Sequence, residues 1–222
     1  RFLMKFNKTA IFLTVFLIAM STGFSFYYYK VSKEIKQPKV GIVTPNGNNI
    51  RPFKFLDQNG NYVTNKDIEG KVVVVEYFFT TCKGICPTMN ENMTKVHNAF
   101  RTNDNVIILS HTVDPKRDTV ATLKAYSQRY DIDDRKWKFL TGDKKELYDQ
   151  AYYSYFLNAM EERPDNIEEE FIHSNLFILV DKYGRIRMSV DKEGMNQGYD
   201  GTNEESVGRL IKDINYLLTE EK

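Results

Sequence analysis

Residues 72–79 read VVVVEYFF, and this run constrains the fold more than any other stretch of the chain. A strand with one wet face alternates apolar and polar side chains. Here β-branched and aromatic residues follow one another with a single break at Glu76, so both faces of the strand must be covered. Strands of this kind lie in the middle of parallel sheets, between other layers. The flanking pattern agrees. Pro87 opens a helical stretch to about Phe100, because proline suits a first turn. Residues 106–109 form a second buried strand, and Asp118 or Thr119 can cap a helix running to about Tyr130. Residues 136–140 form a short strand, and Asp143 can cap a helix through about Tyr153. Residues 53–56 and 61–64 flank Asp57-Gln58-Asn59-Gly60, a hairpin turn. Residues 171–180 and 186–190 flank Asp181-Lys182-Tyr183-Gly184, a second hairpin. Val207, Leu210, Ile211, Ile214 and Leu217 make one stripe of a C-terminal amphipathic helix over residues 204–218. Strands and helices alternate, and a hairpin and a helix close the chain. That order predicts one α/β domain with a mixed central sheet flanked by helices.

Composition separates this body from what precedes it. The 222 residues are 41% hydrophobic and 27% charged, which suits a packed domain and excludes a disordered chain. The net charge of +1 conceals two unlike parts. Residues 1–39 carry seven basic residues and one acid, Glu34, which leaves 24 basic and 29 acidic residues beyond, a net of −5. An acidic body has no basic footprint for nucleic acid.

The basic excess brackets residues 10–29, AIFLTVFLIAMSTGFSFYYY, which hold no charge. Twenty helical residues span about 30 Å, the thickness of a bilayer's hydrocarbon. Tyr27, Tyr28 and Tyr29 form an aromatic belt at its end. A cleaved signal peptide is the alternative, with Lys5 and Lys8 as its basic region, but no small-x-small cleavage site follows Met20. The stretch reads as a retained signal anchor. Lysines flank both ends, so their count does not set the orientation. Met4-Lys5 reads as a natural start, so the first three residues are expected to be an artefact. The expected organisation is a short flank over 1–9, a transmembrane anchor over 10–29, a polar linker over 30–50 with Pro38, Gly41, Pro45 and Gly47, and the globular domain over 51–222.

Cys82 and Cys86 lie in Thr80-Thr81-Cys82-Lys83-Gly84-Ile85-Cys86-Pro87, where the buried strand gives way to a helix. Placed four apart on a helical turn, they would share a face, close enough for a disulfide. A helix N-terminus stabilises thiolate. Such a pair can cycle between dithiol and disulfide, or present two soft sulfurs to a thiophilic metal. A purely stabilising disulfide is a weak reading, because closing so small a loop removes little chain entropy. Two thiolates rarely complete a metal site, and three histidines are available. His97 lies more than two turns past Cys86 and reads as a surface or half-buried residue. His111 ends the second buried strand. His173 begins the stretch 171–180. If the first two strands are parallel and the last antiparallel to them, His111 and His173 both reach the cysteine edge, and the sequence pattern favours neither.

Taken together, Thr81-Cys82-x-x-x-Cys86-Pro87 after a buried strand, Val113-Asp114-Pro115-Lys116-Arg117-Asp118-Thr119, Leu140-Thr141-Gly142, Ile172-His173-Ser174 before a strand, and Asp181-Lys182-Tyr183-Gly184-Arg185 resemble the Sco/SenC family. The likeness covers about residues 53–218 in order. It implies a thioredoxin-like fold with an N-terminal β-hairpin and a membrane anchor helix. It also implies copper held by two cysteines and one histidine, and a part in assembling the copper A centre of cytochrome c oxidase. Carried over, the copper ligands are Cys82, Cys86 and His173. The implied cargo is Cu(I), with Cu(II) as a second valence. The implied partners are the copper-bearing oxidase subunit and a thioredoxin-like reductant. The domain would stand on the non-cytoplasmic, periplasmic-type side of the membrane.

The chain departs from the family in two places. Lys83-Gly84-Ile85 lacks the acidic residue common between the cysteines, and Lys83 can lower a thiolate's pKa by its charge. His111 replaces a small or apolar residue and is a candidate for a supporting or alternative ligand. Asp114, Arg117 and Asp118 are accounted for by a turn, a helix cap and an ion pair. Glu168-Glu169-Glu170 read as a solvated loop.

The expected function is a copper chaperone rather than an enzyme. The alternative is a thiol–disulfide oxidoreductase working through Cys82 or Cys86. A thiol peroxidase is weaker, because no proline supports Thr80-Thr81-Cys82 from before. One expectation follows from the anchor alone. The mature protein should keep residues 10–29 and stay with membranes through a high-salt wash, since salt screens charge but does not weaken apolar burial. A mature N-terminus mapped between Met20 and Lys30 would refute it.

Overall fold

The computed structural model describes residues 7–35, 39–44, 50–157, 174–191 and 193–220. The chain divides into two units, residues 1–37 and 38–222. The first holds helix α1 (Lys8–Ile35). Its stretch Lys8–Val31 is long and apolar enough to cross a membrane, with a mean hydropathy of 1.9 and no burial within the protein. Two hydroxyls that hydrocarbon would leave unpaired are satisfied inside the helix. Thr14 Oγ1 donates to the Ala10 carbonyl at 2.8 Å and Thr22 Oγ1 to that of Ile18 at 2.9 Å.

The second unit is built on a mixed sheet. Its strands are β1 (Lys39–Ile42), β4 (Val72–Phe78), β5 (Val106–Thr112), β6 (Trp137–Leu140), β7 (Leu176–Val180) and β8 (Ile186–Val190), in the spatial order β1-β8-β7-β4-β5-β6. The run of valines forms β4, and every one of its residues is buried. It pairs parallel with β5, Tyr77 opposite His111, and antiparallel with β7, Val75 opposite Ile178. β5 pairs parallel with β6. Two short strands, β9 (Asn196–Gln197) and β10 (Tyr199–Asp200), extend β8 and β7. The hairpin β2 (Lys54–Leu56) and β3 (Tyr62–Thr64) is tied to the end of β6 by paired backbone bonds of 2.9 Å between Leu56 and Thr141. Its turn is held by Asp57 Oδ1, which accepts from the N–H groups of Asn59 and Asn61 at 2.9 Å each. Gly60 takes a φ of 77° there, which a side chain would resist.

Helices cover both faces. They are α2 (Asn65–Ile68), α3 (Cys86–Ala99), α4 (Val120–Ser127), α5 (Lys144–Tyr153) and α6 (Glu204–Thr219). Thr119, Asp143 and Asn203 cap the last three through their side chains. Val72, Val74 and Phe78 of β4 pack against Met89, Met93 and Val96 of α3 and the apolar stripe of α6. Val73, Val75 and Tyr77 pack against Leu147 and Ala151 of α5 and against Phe55 and Val63 of the hairpin. Each fully buried side chain of this size stabilises the fold by about 1.5–3 kcal/mol relative to exposure.

Three expectations change. The stretch 30–50, expected as a linker, carries the end of α1 and strand β1, which pairs with the edge of β8. Thr44 Oγ1 also accepts from the Ile186 N–H at 2.7 Å. The unpaired edge of β8 recruits this short segment, in which Val40 and Ile42 alternate with Lys39 and Gly41 over too few residues to announce a strand. The second buried strand runs on through Ser110, His111 and Thr112, all fully enclosed despite their polarity. Finally, the strand expected over 171–180 begins at Leu176 among the described residues, while residues 171–173, with the acidic run Glu168-Glu169-Glu170, lie outside them.

Glu76, the one break in the apolar run, is fully buried on the α3 side of the sheet. Ser110 Oγ donates to its Oε1 at 2.5 Å and itself accepts from Trp137 Nε1 at 2.8 Å, while Oε2 has no hydrogen-bond partner among the described residues. Burial pushes the carboxyl up to about 7, against the opposing pull of the Ser110 hydroxyl. The folded state thus binds a proton more tightly than the unfolded chain, and stability falls as pH rises from the ordinary carboxylate range through neutrality. Against a Glu76→Gln variant, the native chain should lose about 3 kcal/mol of unfolding free energy between mildly acid and mildly alkaline pH. Parallel pH profiles of denaturant midpoints for the two proteins would refute this.

Candidate metal and thiol site

The chain leaves the C-terminal end of β4 through Phe79 and turns at once, since the Cys82 N–H donates to the Phe79 carbonyl at 3.2 Å. Cys86 is the first residue of α3, and Pro87, which lacks an N–H, follows in the first turn. The expected shared helical turn is therefore not formed. Cys82 sits in the loop before the helix, and the loop folds back to set its thiol near that of Cys86. The two differ in access: Cys82 is half-buried, whereas Cys86 is 3% exposed and packs among Phe78, Met89 and Met93. Lys83 is exposed.

Burial also overturns the expectation that the helix N-terminus lowers the Cys86 pKa. Desolvation pushes this thiol up to about 12, and its contact with the Cys82 thiol acts in the same direction, while a backbone hydrogen bond at Phe79 opposes them. The weak field of an exposed helix end does not outweigh the cost of an anion in an apolar pocket. At neutral pH Cys86 is a protonated thiol, inert until a metal or a partner sulfur displaces its proton.

A buried carboxylate fixes the loop that carries Cys82. Asp118, expected as a helix cap, leaves that role to Thr119. Its carboxylate accepts from the Thr80 N–H at 3.1 Å and from the hydroxyls of Thr80 and Thr112. This clasp joins the loop after β4 to the end of β5 through a residue 38 positions beyond Thr80. Asp114 and Arg117 form the expected ion pair at 3.3 Å. Residue type and spacing gave no sign of the clasp, since a buried aspartate before a helix looks like a cap.

The antiparallel pairing of β7 with β4 starts β7 at the cysteine edge of the sheet. A second link fixes that entry. Asn92 of α3 donates through Nδ2 to the Gly201 carbonyl at 2.8 Å, and the Gly201 N–H donates to the Asn175 carbonyl at 2.7 Å. Gly201 is required here, because a Cβ would stand 2.6 Å from the Phe177 ring. The helix that begins with Cys86 is thereby tied to the residue two positions after His173. His173 itself lies outside the described residues, and among these no cluster of three or more candidate metal ligands occurs.

The other histidines are placed away from the thiols. His111 pairs with Tyr77 across the sheet, and its ring stacks on that of Tyr77 at 5.0 Å, on the hairpin side and opposite to Cys86. Phe53, Phe55 and Tyr155 complete its surroundings. Burial pushes its pKa down to about 3, so the ring is neutral. The period of two along β5 sends His111 to the wrong face for a ligand. His97, expected at or near the surface, is 2% exposed. Its Nε2 accepts from the Asp133 N–H at 3.1 Å, and burial pushes its pKa down.

Comparison with known proteins follows this geometry closely. A model of the SCO1/SenC family matches residues 43–199. The chain is 29% identical over 180 residues to the SCO1 protein homolog of Bacillus subtilis, covering 80% of this chain and 87% of that one. It is similar to the solved structure of BsSco, described as a member of the Sco family of cytochrome c oxidase assembly proteins with a disulfide switch. That match has a TM-score of 0.63, 28% identity, and coverage of 81% of this chain and 99% of the other. It is also similar to Bradyrhizobium japonicum ScoI solved with copper bound, with a TM-score of 0.55, 26% identity, and coverage of 77% and 99%. These neighbours share the thioredoxin-like fold.

The Asp118 clasp is directly testable. Asp118→Ala would leave three buried or half-buried donors without their acceptor, at a cost of about 2–4 kcal/mol. Alkylation of Cys82 in the folded protein should quicken as its loop loosens. A denaturation midpoint and an alkylation rate both equal to the native values would refute the role.

Proposed function

The chain belongs to the SCO1/SenC family, and from that premise we propose that it is a membrane-anchored copper chaperone serving the copper A centre of cytochrome c oxidase. The observation that carries this reading is the proximity of the Cys82 and Cys86 thiols at the edge where β4 ends and β7 begins. Two sulfurs and one imidazole suit Cu(I), a soft ion content with three ligands. His173, two residues before Asn175, is the imidazole this reading assigns. An incomplete shell leaves room for an incoming ligand, so copper can pass to a recipient without first being released to water. The anchor α1 would hold the domain at the non-cytoplasmic face, where the oxidase's copper-bearing domain would meet it.

The chemistry of the pair divides between its members. Cys82, half-buried, is the sulfur that a partner can reach. Cys86, enclosed and protonated, completes the site behind it. Copper binding displaces both thiol protons. Outside the cytoplasm the same proximity lets the pair oxidise to a disulfide, which offers copper no thiolate, so a thioredoxin-like reductant would have to act before loading. A second reading, thiol–disulfide exchange as the main activity, draws on the nearness of the two thiols and on the disulfide switch identified in BsSco.

His173→Ala separates the two readings. In the reduced full-length protein it should weaken copper binding, more for Cu(II) than for Cu(I), since two sulfurs alone hold Cu(I) linearly but support Cu(II) poorly. Oxidase maturation should fail while dithiol exchange with a reducing partner continues. His111→Ala, altered on the opposite face, should leave copper binding unchanged. If copper binding is lost in His111→Ala and kept in His173→Ala, the ligand assignment is wrong. If only the cysteines matter, thiol exchange is the function.

A further inference from the structure

We propose that the cleft formed by the loops after β4, β5 and β6 is a docking groove for an extended acidic segment of the oxidase's copper-bearing domain. The inference rests on the copper-delivery reading of the cysteine pair and names how the recipient is held.

Three consecutive parallel strands end at this cleft. Phe79 follows β4, residues 113–117 follow β5, and residues 142–144 follow β6. The crevice outside the carboxyl ends of such strands is where open α/β sheets bind their ligands. Its volume is about 600 Å³, within the range of functional pockets. Phe79, Val113 and Tyr148 give it an apolar floor, and Tyr148 is fixed there by a 3.1 Å bond from its hydroxyl to the Val113 carbonyl. Phe79 is also the wall shared with the thiol site, since its carbonyl accepts the Cys82 N–H. A chain laid over Phe79 would lie next to the start of the loop that carries the half-buried sulfur.

The rim chooses the sign of the occupant. Lys116, Arg117 and Lys144 surround the opening. The two acids of the cleft are already engaged: Asp114 pairs with Arg117, and Asp143 caps α5 by accepting from the Glu146 N–H at 3.0 Å. Lys116 is exposed and forms no ion pair among the described residues. This gathering of cations stands on a body whose sequence is net acidic beyond residue 39. A cationic rim over an apolar floor attracts negative charge at a distance and rewards apolar contact on arrival. A small anion would leave the floor uncovered. A peptide carrying carboxylates between apolar side chains satisfies both.

The test measures association of the full-length chain, in detergent, with the metal-free copper-bearing domain of the oxidase from the same organism. Lys116→Glu, and Lys116→Glu combined with Lys144→Glu, reverse the rim. The double variant should weaken association about fivefold or more at low ionic strength, the single variant by less, and high salt should erase the difference. Copper bound per chain, measured separately, should match the native protein, and a near-UV spectrum confirms an intact fold. Absence of association, or association indifferent to both variants, overturns the groove. If neither native nor variant chain binds copper while association still depends on the rim, the copper reading falls and the groove stands.

Discussion

The ladder around β4 is the constraint on which the rest depends. β4 is parallel to β5 on one side and antiparallel to β7 on the other. That mixture brings two strand ends and one strand beginning to a single edge. A wholly parallel arrangement would send the start of β7 to the far edge, away from the cysteines. The arrangement holds because both faces of β4 are covered, by α3 and α6 on one side and by α5 and the β2–β3 hairpin on the other. With no wet face, β4 cannot shift its register without exposing valine or phenylalanine to water.

Around this edge the protein spends buried polar groups on geometry. Asp118 binds the loop after β4 to the end of β5, and Asn92 binds α3 through Gly201 to the entry of β7. Each link spans elements far apart in sequence, and each is satisfied at nearly every donor. Such networks rigidify a site because breaking one bond strands its partner in a dry interior. The loop before Cys82 and the helix that begins at Cys86 are thus each anchored by the fold.

The same enclosure sets the chemistry. Desolvation keeps Cys86 protonated, and it raises Glu76 on the same side of the sheet. An enclosed neutral sulfur ionises poorly in water, and under the proposed function it would give up its proton only when a soft metal or a partner thiol arrives. Cys82 is the more accessible of the two sulfurs, and Phe79, at the start of its loop, also lines the cleft at the ends of β4, β5 and β6.

The sequence by itself determined the central strand, the order of the main strands and helices, a cap at Asp118 or Thr119 and one at Asp143, the hairpin turn at Asp57–Gly60, the apolar N-terminal helix and the family. These are written in local patterns: the run VVVVEYFF, a period of 3.6 in the last helix, and motifs read residue by residue. The tertiary structure decided the rest. It placed His111 on the face opposite Cys86, because side chains alternate along a strand and the register with Tyr77 is a pairing between distant segments. It turned Asp118 from a cap into a clasp, because its donors Thr80 and Thr112 come from the loop after β4 and the end of β5. It drew residues 39–42 out of the expected linker, because their only reason to be a strand is the open edge of β8. It raised the Cys86 thiol where the helix end would lower it, because desolvation depends on what packs around a sulfur, and no local pattern records that.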